Sequence, residues 1–377
     1  MVVEGWRFIA HSYSCVNMWQ LLELAIRPNI DLYHREMPLF DASWERVHGL
    51  FDPLRERRID TMYAAQHDTP ADIVYRIYAP FLLKADETAR KTIIFATAEW
   101  GFLTPEFVSD AIRIDEAVTD DRLWFVTPSH WSKLGLMRSG VPEERIDIVP
   151  HGVDTTIFKP LPQGKRDQVR KELGWQDSFV FLNVGAMTSN KGILQLLTAF
   201  GRLVEKHPDA LLCLKGMDSL YDSSQLVQQV LAVLDGRLFD LIQDRIRYIG
   251  ASRSFHDMAA YYQAADAYVS PYMAEGFNLP ALEAMACGLP VICTQGGPTD
   301  DFIVNEAALR VSSNIVCVSN REIIYLEPDV ESLVSQMERA MDDASICCRA
   351  MEFGPRHAST YYTWRNVVDR MLTVMDI

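Results

Sequence analysis

Residues 179–192 read Phe-Val-Phe-Leu-Asn-Val-Gly-Ala-Met-Thr-Ser-Asn-Lys-Gly, FVFLNVGAMTSNKG. The apolar run Phe179–Val184 predicts a strand buried on both faces, as parallel sheets require. Gly185 to Gly192 is then a loop, and a helix begins at Ile193. A glycine lets backbone approach a ligand, and Lys191 stands at a helix start, where a phosphate is favoured.

Working outward, the same rhythm of strand, loop and helix recurs. Downstream, Ala210–Leu214, Ile246–Ile249, Ala267–Ser270 and Pro290–Cys293 read as buried parallel strands, each followed by a helix. Upstream, the strand candidates are Arg7–Ala10, Ile30–Tyr33, Ile73–Tyr75, Thr92–Thr97, Leu123–Thr127 and Ile146–Val149. Helix candidates between them include Val16–Ile26, Pro105–Ala117 and Ser129–Ser139. Such alternation predicts α/β architecture, two Rossmann-like doubly wound domains facing a cleft. The stretch Phe158–Lys165, with two prolines and a glycine, reads as the linker. Residues 1–158 form the expected N-terminal domain and 159–356 the C-terminal one.

Bulk properties agree. A chain of 377 residues, 49% hydrophobic, can build two α/β cores and is not disordered. A net charge of −15 disfavours broad contact with nucleic acid or an anionic membrane surface. No segment is apolar for long enough to cross a bilayer, and the N-terminus lacks the pattern of a signal peptide. The seven cysteines never stand as C-x-x-C, and most lie in apolar runs, so buried reduced thiols and a cytoplasmic location are expected.

The loops at the strand ends carry chemistry. Beyond Lys191, Lys215 follows the second strand of this half and Arg253 the third. In doubly wound sheets ligands bind beyond the carboxyl ends of strands. Three cations at neighbouring strand ends of one sheet predict a diphosphate site. A fourth loop leads into residues 274–284, AEGFNLPALEA. Pro280 suits a first helical turn, and Leu279, Leu282, Ala286 and Leu289 mark one helical face. Two readings stand for this stretch. Either the helix start attracts an anion, with Glu283 one turn in reaching its ligand, or this is a capped core helix with an exposed glutamate.

With these residues in view, the chain resembles the retaining glycosyltransferases of family 4, whose architecture is called GT-B. Glu275 and Glu283 match the family's pair of glutamates eight apart, with the Glu-Gly-Phe start and the Leu-Glu-Ala-Met-Ala-Cys-Gly-Leu-Pro-Val continuation. Val149 to Asp154 is similar to the segment leading into the linker, with His151 where asparagine is common. Ser129–Pro142 and Gln295–Pro298 also match, and the resemblance covers nearly the whole chain.

The resemblance implies a nucleotide-diphosphate-sugar donor bound by the C-terminal domain and an acceptor held by the N-terminal one. The acceptor is a sugar, glycan, lipid-linked or protein hydroxyl. Glu283 would hold the ribose hydroxyls. Glu275 would lie beside the donor sugar, with the amides of Gly276, Phe277, Asn278 and Leu279 around it. Gly185 would let the donor approach, and Lys191 would stabilise the departing diphosphate. The implied route is front-face substitution with retention, and Glu275 is not assigned as a covalent nucleophile. No D-x-D occurs in the chain, so no cofactor and no metal are expected, with cations and helix-start amides in the metal's place. A closing helix over 357–377 is expected to return to the N-terminal domain.

Three departures stand out. The family usually has arginine after the first loop glycine, where this chain has Ala186; Lys215 or Arg253 is the replacement, and the sequence leaves both open. The usual Gly-Gly loop after the first strand is replaced by His11–Asn17, where Ser14 and Asn17 are candidates on the acceptor side or helix caps. Glu99 stands where relatives carry a histidine. It is read either as a contact to sugar or acceptor proton or as a solvated loop carboxylate. Two other functions fit the same architecture: a nucleotide-sugar-binding module without catalysis, and a sugar-nucleotide epimerase.

Overall fold

The computed structural model describes residues 1–103, 107–108, 112–318 and 322–376. Two six-stranded sheets, parallel throughout, bear out the α/β expectation. The first holds β1 (Val2–Gly5), β2 (Tyr33–Glu36), β3 (Ala71–Ile77), β4 (Ala89–Phe95), β5 (Leu123–Thr127) and β6 (Ile146–Ile148), in the order β2-β1-β3-β4-β5-β6. The second holds β7 (Phe179–Val184), β8 (Ala210–Lys215), β9 (Ile246–Ile249), β10 (Ala267–Ser270), β11 (Val291–Thr294) and β12 (Ala308–Val311), in the order β12-β11-β10-β7-β8-β9. A two-stranded sheet, β13 (Ser313–Val318) with β14 (Ile323–Pro328), follows.

The chain divides into two compact units. One comprises Met1–Gly152, Val318–Ile324 and Trp364–Ile377, and the other Val153–Cys317 and Tyr325–Thr363. The last two helices are Ala344–Tyr361 and Trp364–Met375, and only the second counts with the first unit. In the second unit, Phe181, Leu212, Val269 and Ile292 pack on Leu196 and Phe200 of the helix Ile193–Val204, and on Leu333 and Met337 of the helix Val330–Asp342. Apolar residues on one stripe of each helix build this layer.

In the first unit, parallel register sets Glu4 beside Arg35 and Arg76 on adjacent strands. Glu4 bonds both arginines, Arg76 Nε at 2.7 Å, and Arg76 Nη1 also donates to the Leu82 and Lys84 carbonyls. Glu4 and Arg76 are buried, and their charges are met by each other, by Arg35, by these carbonyls and by Asp86, whose Oδ2 is 4.0 Å from Arg76 Nη2.

Several sequence expectations are corrected. Arg7–Ala10 is not a strand: β1 ends at Gly5, Phe8 has φ of 61°, and the Ile9 amide donates to Ser14 Oγ. Buried loop and buried strand share the same apolar pattern. β2 begins at Tyr33, three residues beyond the start expected, because this edge strand reads Tyr-His-Arg-Glu and has no apolar run. The helix expected over 105–117 appears at Ile114–Ala117, and residues 104–106 and 109–111 lie outside the described residues. β11 leads into a short 3-10 turn rather than an α-helix, and β12 was not anticipated. The linker stretch is packed. Phe158 is buried against Tyr262, Gln263 Nε2 donates to the Ile157 and Lys159 carbonyls, and a helix starts at Gln163. Among the cysteines, Cys213, Cys287 and Cys293 are buried, whereas Cys317 and Cys348 are exposed. No helix among the described residues is long and apolar enough to cross a membrane.

Candidate active site

The strand order of the second sheet reverses between β7, its first strand in sequence, and β10, its fourth. Connections leave these neighbours in opposite directions, and the crevice beyond their carboxyl ends is where such sheets bind ligands. The loop after β7 carries Gly185–Gly192 and the loop after β10 carries Glu275–Asn278, so both sequence motifs meet at this switch point.

The two loops are bonded together. Asn190 O accepts from Met273 N at 2.7 Å and Ala274 N at 3.3 Å, while Asn190 Nδ2 donates to Ala274 O at 3.0 Å. Gly192 has φ of 67°, and a Cβ there would lie 1.9 Å from Pro271 O, so glycine is required by both conformation and space. This clamp carries Lys191 to Glu275, where its ammonium donates to Oε1. Their side chains are only 20% and 10% exposed, which makes this a partly desolvated ion pair. Lys191 runs past Gly185, its Cδ 3.7 Å from where a Cβ would sit.

Asn278 adopts a left-handed conformation with φ of 77° and caps the helix Leu279–Ala286. Its Oδ1 accepts from Ala281 N at 3.3 Å, and its Nδ2 donates to Ser270 Oγ at 3.0 Å. Asparagine is among the side chains that tolerate this backbone while capping. Phe277 stacks on Phe302 with centroids 4.4 Å apart, so its ring serves packing and only its main chain faces a ligand role. Leu279 and Pro280 open the helix.

Glu283 lies half-buried one turn further, where Tyr262 OH donates to Oε2 at 2.7 Å. Burial pushes its carboxyl up to about 7, and the tyrosine bond opposes this only in part. Tyr262 was not found in sequence, since no local spacing links it to a residue twenty-one positions later.

Lys215 ends β8 and is buried, with Nζ donating to Gly216 O at 2.6 Å. Its own carbonyl accepts from Gly185 N at 3.1 Å. Arg253 is exposed, its Nε 3.5 Å from Tyr261 OH. Asp218, also missed in sequence, accepts from Tyr248 OH and from Ser224 N. A Cβ on Gly250 would fall 1.7 Å from its carboxylate, which explains the glycine there.

In the first unit two candidates are corrected. Ser14 and Asn17 are enclosed at 0% exposure and reach no surface. Ser14 Oγ accepts from Ile9 N at 3.2 Å. Asn17 Nδ2 donates to Trp6 O at 2.9 Å and lies against Gly5. Ser14 Oγ and Asn17 Nδ2 thus satisfy loop backbone, and the helix cap is His11, whose Nδ1 accepts from Tyr13 N. Glu99 is half-buried in the turn after β4, its carbonyl accepting from Trp131 Nε1 at 2.8 Å. His151 is buried beside Phe95, and burial lowers its pKa to about 3, so its ring is neutral.

Comparison with known proteins gives this geometry its class. Residues 165–354 match the family described as glycosyl transferases group 1, and the chain belongs to that family. Its curated relatives include mannosylfructose-phosphate synthase of Agrobacterium fabrum, 26% identical over 239 residues that cover 63% of this chain and 49% of that protein. Another is D-inositol 3-phosphate glycosyltransferase of Paenarthrobacter aurescens, 32% identical over 47% of this chain and 41% of that one. The chain thus spans about half the length of these relatives or less. Among solved structures, Anabaena HepE in complex with UDP and glucose aligns over 100% of this chain and 98% of its own. The TM-score is 0.72 and the identity 14%, which establishes the shared GT-B fold.

Proposed function

We propose that this chain is a retaining, metal-independent glycosyltransferase that moves a sugar from a nucleotide-diphosphate sugar to an acceptor hydroxyl. The observation that carries the reading is the Lys191–Glu275 pair, clamped at the switch point of the second sheet. The second unit binds the donor. Glu283 takes the ribose hydroxyls, and Gly276, Phe277, Asn278 and Leu279 offer main-chain groups to sugar and phosphate. Gly185 leaves room for the donor. The relatives are named for transfer to phosphorylated small molecules, and HepE was solved with UDP and glucose, which sets the donors and acceptors to try first.

The chemistry follows from the pair. Before donor arrives, the Lys191 ammonium is shared with Glu275. As the glycosidic bond breaks, the diphosphate gains charge and draws more of that ammonium, so the interaction is stronger in the transition state than in the ground state. A carboxylate held by an ammonium is a weak nucleophile. Glu275 therefore steadies positive charge on the sugar, and the acceptor hydroxyl enters from the face the diphosphate leaves. The departing phosphate oxygen takes the hydroxyl proton, with Glu99 of the first unit as the protein group assigned to the acceptor side. Fixed cations and oriented amides supply what a divalent ion supplies elsewhere.

The test is transfer from UDP-glucose, UDP-N-acetylglucosamine and GDP-mannose to inositol 3-phosphate, a fructose phosphate and simple sugars, with the product anomer read by proton NMR. Transfer with retained α-configuration is expected from one donor, and Lys191→Ala should abolish it. An inverted anomer would overturn the mechanism. Donor binding without turnover would favour a non-catalytic module, which the uncharged Ala186 also suits.

A further inference from the structure

The carboxyl edge of the second sheet holds a cation that its packing does not call for. Lys215 is 3% exposed. Among the described residues, the hydrogen bond from Nζ to Gly216 O is the only hydrogen bond or ion pair of its ammonium. An ammonium carries three donors, and burying a charge without a counterion destabilises a fold. The carboxylate whose charge acts on it is Asp218, which is committed to Tyr248 OH and the Ser224 amide against Gly250. Burial, reinforced by the charge of Arg253, lowers the Lys215 pKa to about 8.

The position of this cation is informative. Parallel register sets Lys215 beside Val184 and Ile249, in the last row of β7, β8 and β9. Its carbonyl takes the Gly185 amide, so it adjoins the loop that Lys191 closes. Lys191 touches Gly185 from within that loop. Two lysines therefore flank Gly185–Ala186, one neutralised by Glu275 and the other held without a carboxylate in contact. Arg253 is exposed, with its guanidinium beside Tyr261 OH.

We propose that Lys215 is a second cationic contact for the diphosphate of the donor, acting with Lys191, and that Arg253 takes no part in holding it. This rests on the donor reading above. Its physical signature is a trade of stability for binding, since a buried charge retained for a ligand costs the empty protein.

Titration calorimetry with UDP, GDP, ADP, the matching nucleosides and inorganic pyrophosphate tests it, alongside melting temperatures of the unliganded proteins. Lys215→Met should weaken the preferred diphosphate and pyrophosphate about tenfold or more, with the nucleoside changed less than about twofold. Its unliganded melting temperature should equal or exceed that of the wild type. Arg253→Ala should leave diphosphate affinity within about threefold. Undiminished diphosphate affinity in Lys215→Met overturns the proposal. So does a lowered melting temperature with equal losses for nucleoside and diphosphate, which marks a structural lysine. If Lys215→Met does not fold, the stability claim fails, and Lys215→Gln decides the binding claim by the same comparison. If the wild type binds none of the diphosphates, the donor reading itself falls and takes this inference with it.

Discussion

Glu283 titrates at about 7 instead of 4.5 because burial disfavours its anion. Two ribose hydroxyls would donate to the ionised form, so nucleotide binding expels a proton on the acid side. Affinity should therefore be constant above about pH 8 and fall as the pH drops through 7, by close to tenfold per unit below it. Glu283→Ala should weaken nucleotide and nucleotide-sugar alike by about 1–3 kcal/mol and remove this pH dependence. Unchanged affinity for the bare nucleotide would take Glu283 off the ribose. The same shift has a stability consequence of definite sign. The raised folded pKa costs nothing below about pH 4, destabilises the empty protein progressively between about pH 4.5 and 7, and costs a constant amount above that. Glu283→Gln should thus gain roughly 2 kcal/mol at pH 8, after allowance for partial exposure, and nothing at pH 4, by urea titration. The residue was legible through the family resemblance that its spacing to Glu275 helps to carry. Its perturbation was not, since Tyr262 and the enclosing walls come from distant segments.

At the scale of elements, the site depends on two loops fastened by Asn190 and Gly192 and on one helix capped by Asn278. Asn278→Gly keeps the left-handed backbone but loses the cap, and should cost about 1 kcal/mol. Asn278→Ala loses both and should cost about 2 kcal/mol or more, by denaturant titration. Equal costs would show that the backbone there is not strained. β7 and β10 were readable to the residue because both lie inside the sheet, largely buried and mostly apolar, while β9, at the edge, was readable from Ile246, Tyr248 and Ile249 despite the exposed Arg247. The edge strands β2 and β12 were displaced or missed, because half-covered strands carry polar residues that break the pattern. The same logic explains Ser14 and Asn17. A polar side chain at a helix start reads as a candidate ligand, and only the fold reveals that it satisfies a buried carbonyl or amide.

Across the whole molecule, a chain of net charge −15 keeps a buried lysine, with no carboxylate in contact, at the sheet edge where a diphosphate is expected. The Glu4–Arg35–Arg76 row is the counterexample to Lys215, since there each buried charge has its partner. Glu4→Gln leaves two arginines under-neutralised and should destabilise the first unit by roughly 3–5 kcal/mol, seen as an early transition in thermal unfolding. The central claim is that the diphosphate leaves under fixed protein cations, and the initial rate of sugar transfer in excess EDTA tests it most directly. A rate within about twofold of that in magnesium, abolished by Lys191→Ala, is the expected result. Loss of transfer in EDTA with rescue by magnesium or manganese would contradict it.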